Sequence, residues 1–301
     1  MALFLFIQMP GRKQYDVPLP GGRTMRLGER TLVMGILNIT PDSFSDGGLH
    51  LDVERAVAAG LQMVADGADI LDIGGESTRP GAESVGAEEE MRRVLPVVEK
   101  LAAEAPALLS IDTYKARVAR EATARGAAII NDISGLQFDP GLAAVAADTG
   151  AALILMHTRG RSQQMYDLAV YGDVVAEVCA ELRGAIDRAI EGGVRRESIV
   201  LDPGFGFAKR AGHSYSLLAR LRELGRLDRP ILSGPSRKSF LKEALGERQP
   251  ADREWGTAAA VAASVLGHAH IVRVHAVRAM ADVARVADRI AATGDGIADL
   301  G

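Results

Sequence analysis

The sequence is poor in cysteine, the residue that forms disulfides and ligates structural zinc. Its 301 residues include one cysteine, Cys179. A single cysteine excludes a disulfide framework within the chain and a zinc cluster made of cysteines. Cys179 lies in the helical pattern VVAEVCAELRGAI, with no partner residue nearby in sequence. The pattern therefore predicts a buried, unreactive thiol and not a nucleophile.

An excess of basic residues is also absent. The net charge is −4, the isoelectric point is near 5.9, and no basic stripe is concentrated anywhere, which argues against a nucleic-acid partner. The apolar start MALFLFIQMP lacks the basic segment and cleavage site of a signal peptide, and it predicts an edge strand. The longest uncharged run, WGTAAAVAASVLGHAHIV, contains two histidines and predicts a helix leading into a strand, not a membrane span. We therefore expect a soluble, cytoplasmic protein.

Short apolar runs recur along the chain, and each has the length of a strand that is buried on both faces. The eight runs lie near residues 32–38, 69–75, 107–112, 127–132, 151–157, 198–204, 230–236 and 270–275. Segments of helical period separate them, of which DVERAVAAGLQMVADGA and YGDVVAEVCAELRGAIDRAIEGG are the clearest. This alternation predicts a TIM (β/α)8 barrel. A doubly wound open sheet is the alternative, but no GxGxxG motif follows the first strand.

The first 30 residues do not follow this rhythm of strand and helix. The segments ALFLFIQMP and TMRLGERTLVM resemble a short β-hairpin added at the N-terminal end of the barrel. The sequence contains no linker and no long internal repeat. We therefore predict one domain over residues 1–301, with residues 1–30 as its hairpin extension.

Polar and charged residues stand at the ends of nearly all the apolar runs. These positions are Asn38, Gly74–Glu76, Asp112, Asn131, Asp132, His157, Asp202, Ser236–Lys238, Arg273 and His275. Any single Asp here could simply cap the following helix. In a TIM barrel, however, all the strand ends meet on one face, and that face holds the active site. The pattern therefore predicts one polar site at the C-terminal face.

Seven motifs in this order resemble the dihydropteroate synthase family over residues 32 to 285. They are GILNITPDSFSDGG, DIGGESTRPGA, SIDT, IINDISG, LDPGFGFAK, GPSRKSF and RVH. The resemblance implies a Mg2+-dependent transferase of folate biosynthesis. Such enzymes join 6-hydroxymethyl-7,8-dihydropterin diphosphate to p-aminobenzoate, and the products are 7,8-dihydropteroate and pyrophosphate.

The resemblance assigns the flat pterin ring to strand ends in the middle of the chain. A buried carboxylate such as Asp202 matches the adjacent 2-amino and ring N–H donors of a pterin in a bidentate manner. Asn131 has both a donor and an acceptor for the other ring edge. The full set implied for the pterin is Asp112, Asn131, Met156, Asp202, Phe207 and Lys238, with Met156 and Phe207 as apolar walls. Taken alone, Met156 and Phe207 would more often be plain core residues.

The diphosphate requires cations, and the family's anion-binding positions fall on Arg79, Arg273 and His275. Arginine suits bidentate contact with phosphate. Asn38 resembles the family residue that meets both Mg2+ and the diphosphate, because magnesium combines few protein ligands with substrate phosphates. The implied diphosphate site is Asn38, Arg79, Arg273 and His275.

The loops after the first two strands close over the substrates in this family, which would exclude water and complete the p-aminobenzoate pocket. The implied pocket residues are Thr40, Pro41, Phe44, Thr78, Pro80 and Ser239. Ser239 is expected at a helix start, where anions such as the p-aminobenzoate carboxylate are favoured. A flexible Gly/Ser turn is the simpler interpretation of the first loop.

The implied chemistry is substitution at the pterin methylene, with charge on the leaving pyrophosphate neutralised by preorganised cations. The residues implied in catalysis are Asp112, Lys238, Arg273 and His275. We find no credible Ser-His-Asp or Cys-His unit, and this mechanism requires none.

Two positions depart from the common family pattern: Ala276 replaces a frequent Asp after RVH, and Arg159 replaces a more usual neutral residue. A corrinoid-dependent pterin methyltransferase shares the barrel and the pterin carboxylate, but it has no use for STRPGA, SRKS and RVH. A silent paralogue that only binds pterin is the non-enzymatic alternative. The family further implies a homodimer.

Overall fold

The computed structural model describes residues 11–39, 48–77, 84–161 and 165–294, and its centre is a parallel eight-stranded sheet. The strands are β3 (Leu32–Asn38), β4 (Ile70–Gly74), β5 (Leu108–Asp112), β6 (Ile129–Asp132), β7 (Ala152–Met156), β8 (Ile199–Asp202), β9 (Leu232–Ser233) and β10 (Ile271–Val274). All eight predicted apolar runs contain one of these strands. The run near 230–236 gives a strand of two residues, because Pro230 has no N–H for a ladder and Pro235 ends the pairing.

The sheet curls into a barrel that closes between β8 and β9, the two strands at the ends of the sheet order. Its order is β8-β7-β6-β5-β4-β3-β10-β9. Between β8 and β9, Leu201 forms a parallel bridge with Ile231, and the Leu201 N–H donates to the Pro230 carbonyl oxygen at 2.9 Å. The predicted TIM barrel is thus confirmed, and the open doubly wound sheet is excluded.

Helices surround the barrel and follow the strands as crossover connections. In the described ranges they are α1 (Gly48–Ala65), α2 (Ala87–Glu104), α3 (Ala116–Ala124), α4 (Leu142–Thr149), α5 (Val174–Glu191), α6 (Ala211–Ala219), α7 (Lys242–Leu245), α8 (Glu254–Leu266) and α9 (Val277–Gly294). Cys179 is buried on the inner face of α5, as the helical pattern predicts. None of the helices in these ranges combines the length and the apolar character that a membrane crossing needs.

Alternate residues of each strand face opposite sides of the sheet, and this alternation separates two apolar clusters. One cluster fills the barrel interior and includes Met34, Ile70, Ile154 and Val200. The other lies between the sheet and the helices. The strands are apolar in both directions because both faces of the sheet are covered.

A two-stranded antiparallel hairpin covers the end of the barrel where the strands begin. It pairs β1 (Tyr15–Pro18) with β2 (Thr24–Leu27). Four of its side chains join the interior cluster, and they are Val17, Leu19, Met25 and Leu27. The predicted N-terminal hairpin is thus confirmed, but its first strand is Tyr15–Pro18 and not the predicted segment ALFLFIQMP, and it closes the bottom of the barrel. The edge strand predicted over residues 2–10 lies outside the described residues, and the single-domain organisation of residues 1–301 stays a prediction.

Candidate active site

A layer of polar side chains lies inside the barrel, above the apolar interior cluster. The alternation within each strand places it there: Asp72 follows the inward-facing Ile70 by two residues, and Asp202 follows Val200. The same relation holds in β5, β6 and β10. The layer consists of Asp72, Asp112, Asn131, Asp202 and Arg273, one on each of five different strands. The structure thus brings the predicted residues Asp112, Asn131, Asp202 and Arg273 together with Asp72, which was not predicted.

Arg273 lies at the centre of this layer and joins two strands through ion pairs. Its Nε donates to Asp72 Oδ2 and its Nη2 to Asp112 Oδ2, both at 2.6 Å. Asn131 Nδ2 donates to the same Asp72 oxygen at 3.0 Å. Burial alone would lower the pKa of Arg273, but the two carboxylates raise it above its ordinary value. Arg273 therefore stays charged within the barrel.

Asp112 is a carboxylate of the layer that takes up a proton more readily than an exposed Asp. Burial raises its pKa to about 7, Arg273 opposes the shift, and the nearby Asp72 adds to it. Two carboxylates that share one arginine repel each other, so protonation of one relieves the excess charge. Asp112 therefore changes its charge near neutral pH.

Asp202 lies at the end of β8 with 6% of its surface exposed. Its Oδ1 accepts the Gly204 N–H at 2.7 Å. Burial raises the pKa of Asp202, while that hydrogen bond and the nearby Lys238 act in the opposite direction. Each carboxylate oxygen has more than one acceptor position, so Asp202 retains capacity for paired donors of a ligand.

Lys238 lies beside the aromatic ring of Phe207, with its Nζ 4.1 Å from the ring centroid. Burial and the positive charge of Arg273 lower the pKa of Lys238 to about 8, and Asp202 and Asp112 oppose this. The cation thus lies among the carboxylates of the layer. The structure places Phe207 at this site and not in the core, whereas Phe205, two residues earlier, packs against Phe240.

The loop after β8 depends on a glycine to hold this arrangement. Gly204 has a φ of +67°, and a Cβ atom there would lie 2.1 Å from the carbonyl oxygen of His157. Only glycine permits both the left-handed backbone and this approach. The close contact places the loop against the end of β7, where the predicted wall residue Met156 is buried.

The predicted anion-binding residues in the described part of the chain lie at neighbouring strand ends. Asn38 ends β3, opposite Gly74 of β4, and shares the inward alternation of Met34. His275 directly follows β10, which pairs with β3. Its Nδ1 lies 2.9 Å from Ser236 Oγ, and its N–H donates to the same oxygen at 3.2 Å. Ser236 thus orients the imidazole.

Ser239 begins a 3-10 turn of three residues, Ser239–Leu241, that continues into the four-residue α7. The expected helix start is therefore only a short turn. Its dipole favours a carboxylate less than the dipole of a full helix would. Other predicted site residues lie outside the described residues: Thr40, Pro41, Phe44, Thr78, Arg79 and Pro80.

The two departures from the family pattern lie in different places. Arg159 points to α5, where it donates to Glu177 Oε2 at 2.8 Å and to Glu181 Oε1 at 3.0 Å from its Nε. Arg159 therefore forms ion pairs with α5 and does not enter the polar layer. Ala276 separates His275 from the first residue of α9.

Sequence reasoning missed two buried charged residues near the site. Asp72 is fully buried and is the main partner of Arg273, and its signal was a carboxylate inside the apolar run DILDIGG. Lys209 is 2% exposed and ends the motif LDPGFGFAK. Its contacts are with His157, which follows β7, and with the loop that follows β8.

The donor set fits a cation that is held mainly by a ligand. Among the residues that the structure describes, no three His, Cys, Asp or Glu side chains are grouped to hold a metal ion. Magnesium commonly binds one or two protein oxygens together with substrate phosphates and water. The amide oxygen of Asn38, at the strand end beside the predicted anion site, fits such a role.

Comparison with known proteins gives a consistent result over nearly the whole chain. The sequence profile described as "Pterin binding enzyme" matches residues 34–275. The chain is 49% identical to the dihydropteroate synthase of Synechocystis sp. over 277 residues, which cover 92% of this chain and 96% of that relative.

Solved structures of similar sequence share the fold. The dihydropteroate synthase of Xanthomonas albilineans with 4-aminobenzoic acid superposes with a TM-score of 0.84 at 44% identity, over 91% of this chain and 98% of that one. The enzyme of the same organism in complex with 7,8-dihydropteroate gives a TM-score of 0.81 at 42% identity, with the same coverage.

Proposed function

This chain belongs to the pterin binding enzyme family and has the dihydropteroate synthase function, and we propose that the polar layer inside its barrel carries out that reaction. The reaction joins 6-hydroxymethyl-7,8-dihydropterin diphosphate to p-aminobenzoate and releases pyrophosphate, in folate biosynthesis. The observation that carries the proposal is that Asp202, Asn131, Asp112, Arg273 and Lys238 lie together at the C-terminal end of the barrel.

The pterin ring is recognised at Asp202. The 2-amino group and the adjacent ring N–H donate to its carboxylate, which the Gly204 N–H already holds in place. Asn131 meets the other edge, and Lys238 donates to a ring acceptor. Met156 and Phe207 form the apolar walls. A flat ring without these donors would leave the buried carboxylate unpaired, which costs binding free energy. The site therefore discriminates against such rings.

The diphosphate group lies on the side of Asn38, Arg273 and His275. Arg273 is held by Asp72 and Asp112, so its guanidinium is already oriented. A preorganised cation stabilises a developing negative charge without reorganisation during the reaction. Asn38 would hold Mg2+ through its amide oxygen, and the metal would further neutralise the charge of the diphosphate.

The reaction exchanges a carbon–oxygen bond for a carbon–nitrogen bond. The bond from the pterin methylene to the diphosphate breaks first or nearly so, and its electron pair leaves with pyrophosphate. The electron-rich ring and the nearby carboxylate of Asp112 stabilise the positive charge that develops on the pterin. The arylamine lone pair then forms the new bond, and the nitrogen loses its proton to solvent.

The test of this function is pyrophosphate release by the purified chain. We expect release to require the pterin diphosphate, p-aminobenzoate and Mg2+ together, and to stop when the metal is chelated. Asp202→Asn removes the carboxylate with little change in volume and should lower the rate about 100-fold. Asp187→Asn, an exposed position on α5, is the matched control and should leave the rate unchanged.

Two other outcomes would contradict the proposal. Methyl transfer from a methylated pterin, without pyrophosphate release, would favour the corrinoid-dependent methyltransferase. Pterin binding with no turnover of either kind would favour a silent paralogue. The cytoplasmic location stays a prediction, which cell fractionation tests.

We also propose that the chain forms a homodimer through its last two helices. Trp255 at the start of α8 is 85% exposed, and Val286 and Ile290 on α9 are 61% and 55% exposed. Large exposed apolar side chains on neighbouring helices support an interface between protein chains. Light scattering should give twice the 31.8 kDa mass of the chain, and a mass of one chain would contradict the proposal.

A further inference from the structure

Lys209 is a buried cation that the proposed mechanism does not use. It directly follows the loop that carries Phe207, and 2% of its surface is exposed. Its Nζ lies 2.9 Å from the Phe207 carbonyl oxygen, 3.3 Å from the His157 carbonyl oxygen and 2.7 Å from His157 Nδ1. An ammonium group has three N–H donors, and these three acceptors match them in number.

The contact with His157 fixes the proton on that imidazole. A protonated lysine only donates hydrogen bonds, so His157 Nδ1 must accept, and the ring proton must be on Nε2. His157 Nε2 lies 3.0 Å from Glu181 Oε2 and therefore donates to it. Burial and the charge of Lys209 lower the pKa of His157 to about 4, which keeps the imidazole neutral at pH 7.

The charged groups around Lys209 come from several elements. Burial lowers the pKa of Lys209 to about 7, whereas Asp202 of β8 and Glu181 of α5 oppose this, and Arg159 and Lys238 add to the decrease. The ammonium is bonded to three acceptors, and the charges of Asp202 and Glu181 offset part of the cost of its burial. These three hydrogen bonds fix the position of the side-chain nitrogen.

Lys209 connects two segments that form the walls of the site. His157 directly follows Met156, and its N–H donates to the Asp202 carbonyl oxygen at 2.9 Å. Phe207 holds its ring under Lys238. The one ammonium group of Lys209 bonds to the backbone of both His157 and Phe207. The first segment is hydrogen-bonded to the backbone of Asp202, and the second follows Asp202 in the chain, so both adjoin the proposed pterin carboxylate.

We propose that Lys209 is a positioning residue of the pterin subsite, which holds Phe207 and the end of β7 at the spacing that accepts the flat ring. This inference rests on the proposed function. Loss of the ammonium leaves two buried carbonyl oxygens and an imidazole nitrogen without a donor, so the loop relaxes. The loss should affect recognition of the pterin and not that of p-aminobenzoate.

The first experiment compares Lys209→Met with the wild type. We expect KM for the pterin diphosphate to rise about tenfold, with KM for p-aminobenzoate unchanged. Fluorescence titration with 6-hydroxymethylpterin alone should show the same loss of affinity. Lys209→Arg keeps a charged donor and should recover part of it. Equal losses in both KM values, or unchanged pterin affinity in a folded variant, would overturn the proposal.

A matched control is Arg229→Met at the opposite end of the barrel. Arg229 is 9% exposed and, like Lys209, donates to backbone carbonyl oxygens, including that of Arg196 at 2.7 Å. This variant should lower the unfolding midpoint but leave the pterin affinity as in the wild type. A rise of pterin KM in the control equal to that of Lys209→Met would show a general loss of packing and overturn the proposal.

The second experiment needs no variant and therefore does not depend on folding of Lys209→Met. Nitrogen-15 NMR of the wild type reports which ring nitrogen of His157 carries the proton, and the chain has six histidines to assign. We expect a neutral ring protonated on Nε2 at pH 7. A proton on Nδ1 would exclude donation from Lys209 and overturn the proposal. Failure of the wild type to release pyrophosphate would instead contradict the proposed function, while these binding and NMR results would still decide the role of Lys209.

Discussion

Asp112 and Lys238, an acid and a base of the same site, have pKa values that lie close together. Burial raises the pKa of Asp112 to about 7 and lowers the pKa of Lys238 to about 8. Burial disfavours whichever form of a side chain is charged, so it moves an acid and a base toward each other. In the proposed mechanism both residues act in their charged forms, which coexist only between these two values.

We therefore predict a narrow pH optimum. The kcat/KM for the pterin diphosphate reports the free enzyme. It should rise through about pH 7 as Asp112 ionises and fall above about pH 8 as Lys238 loses its proton. Asp112→Asn should abolish the rising limb, and Asp112→Ala should lower turnover strongly while urea unfolding stays close to that of the wild type. A rising limb that survives in Asp112→Asn would assign it to another group.

Neighbouring residues at the end of β6 show which functional assignments the sequence supports. Both Asn131 and Asp132 ended an apolar run and both were candidates. Asn131 faces the barrel and donates to Asp72, whereas Asp132 faces the other way and accepts from Ser134 N at 2.8 Å and Leu136 N at 2.6 Å. Asp132 is thus the structural residue, and the alternation of side chains along the strand separates the two roles.

At the scale of single elements, α5 holds the outer side of the site through its first turn and its exposed face. Asp173 precedes the helix and accepts the N–H groups of Val175 at 2.9 Å and Ala176 at 3.2 Å. Its carboxylate also pairs with Arg220 at 3.0 Å. Farther along the helix, Glu181 Oε2 accepts a hydrogen bond from Nε2–H of His157.

We predict that Asp173→Ala lowers the free energy of unfolding by about 1 kcal/mol, because two N–H groups of the first turn lose their acceptor. Urea denaturation measures this change. The exposed Asp167 lies six residues earlier in the same connection, and Asp167→Ala is the control with no expected change. Equal stability of the two variants would show that the cap contributes nothing measurable.

At the scale of the whole molecule, His270 joins the hairpin extension to the barrel. Its Nδ1 accepts the Ile231 N–H at 3.0 Å, so its Nε2 carries the proton and donates to the Lys13 carbonyl oxygen at 2.9 Å. Burial lowers the pKa of His270 to about 4. Protonation would place a second hydrogen against the Ile231 N–H and break this connection.

This geometry predicts a loss of stability in mild acid. In the unfolded chain His270 becomes protonated below about pH 6.5, whereas in the folded protein it stays neutral down to about pH 4. The folded state is therefore destabilised relative to the unfolded state as the pH falls. By pH 5 the loss amounts to about 2 kcal/mol for this residue. His270→Gln should reduce the stability difference between pH 7 and pH 5 by about that amount in urea unfolding. An unchanged difference would show that His270 does not carry this pH dependence.

The sequence by itself determined the eight strands, the helices between them, the closed barrel and the face on which the polar residues meet. It could do so because apolar runs covered on both sides, separated by helical segments, have few other ways to bury their surface. The seven motifs also determined the family. These features depend on local pattern and order along the chain.

The tertiary structure alone decided which charges contact one another. Asp72 and Arg273 are 201 residues apart in sequence, yet they form the central ion pair of the site. Lys209 contacts His157, which is 52 residues away in sequence, and only that contact assigns the ring proton of His157 to Nε2. Barrel closure buries such residues together, and burial and neighbouring charges then set each pKa. Spacing along the chain does not encode the distances between them.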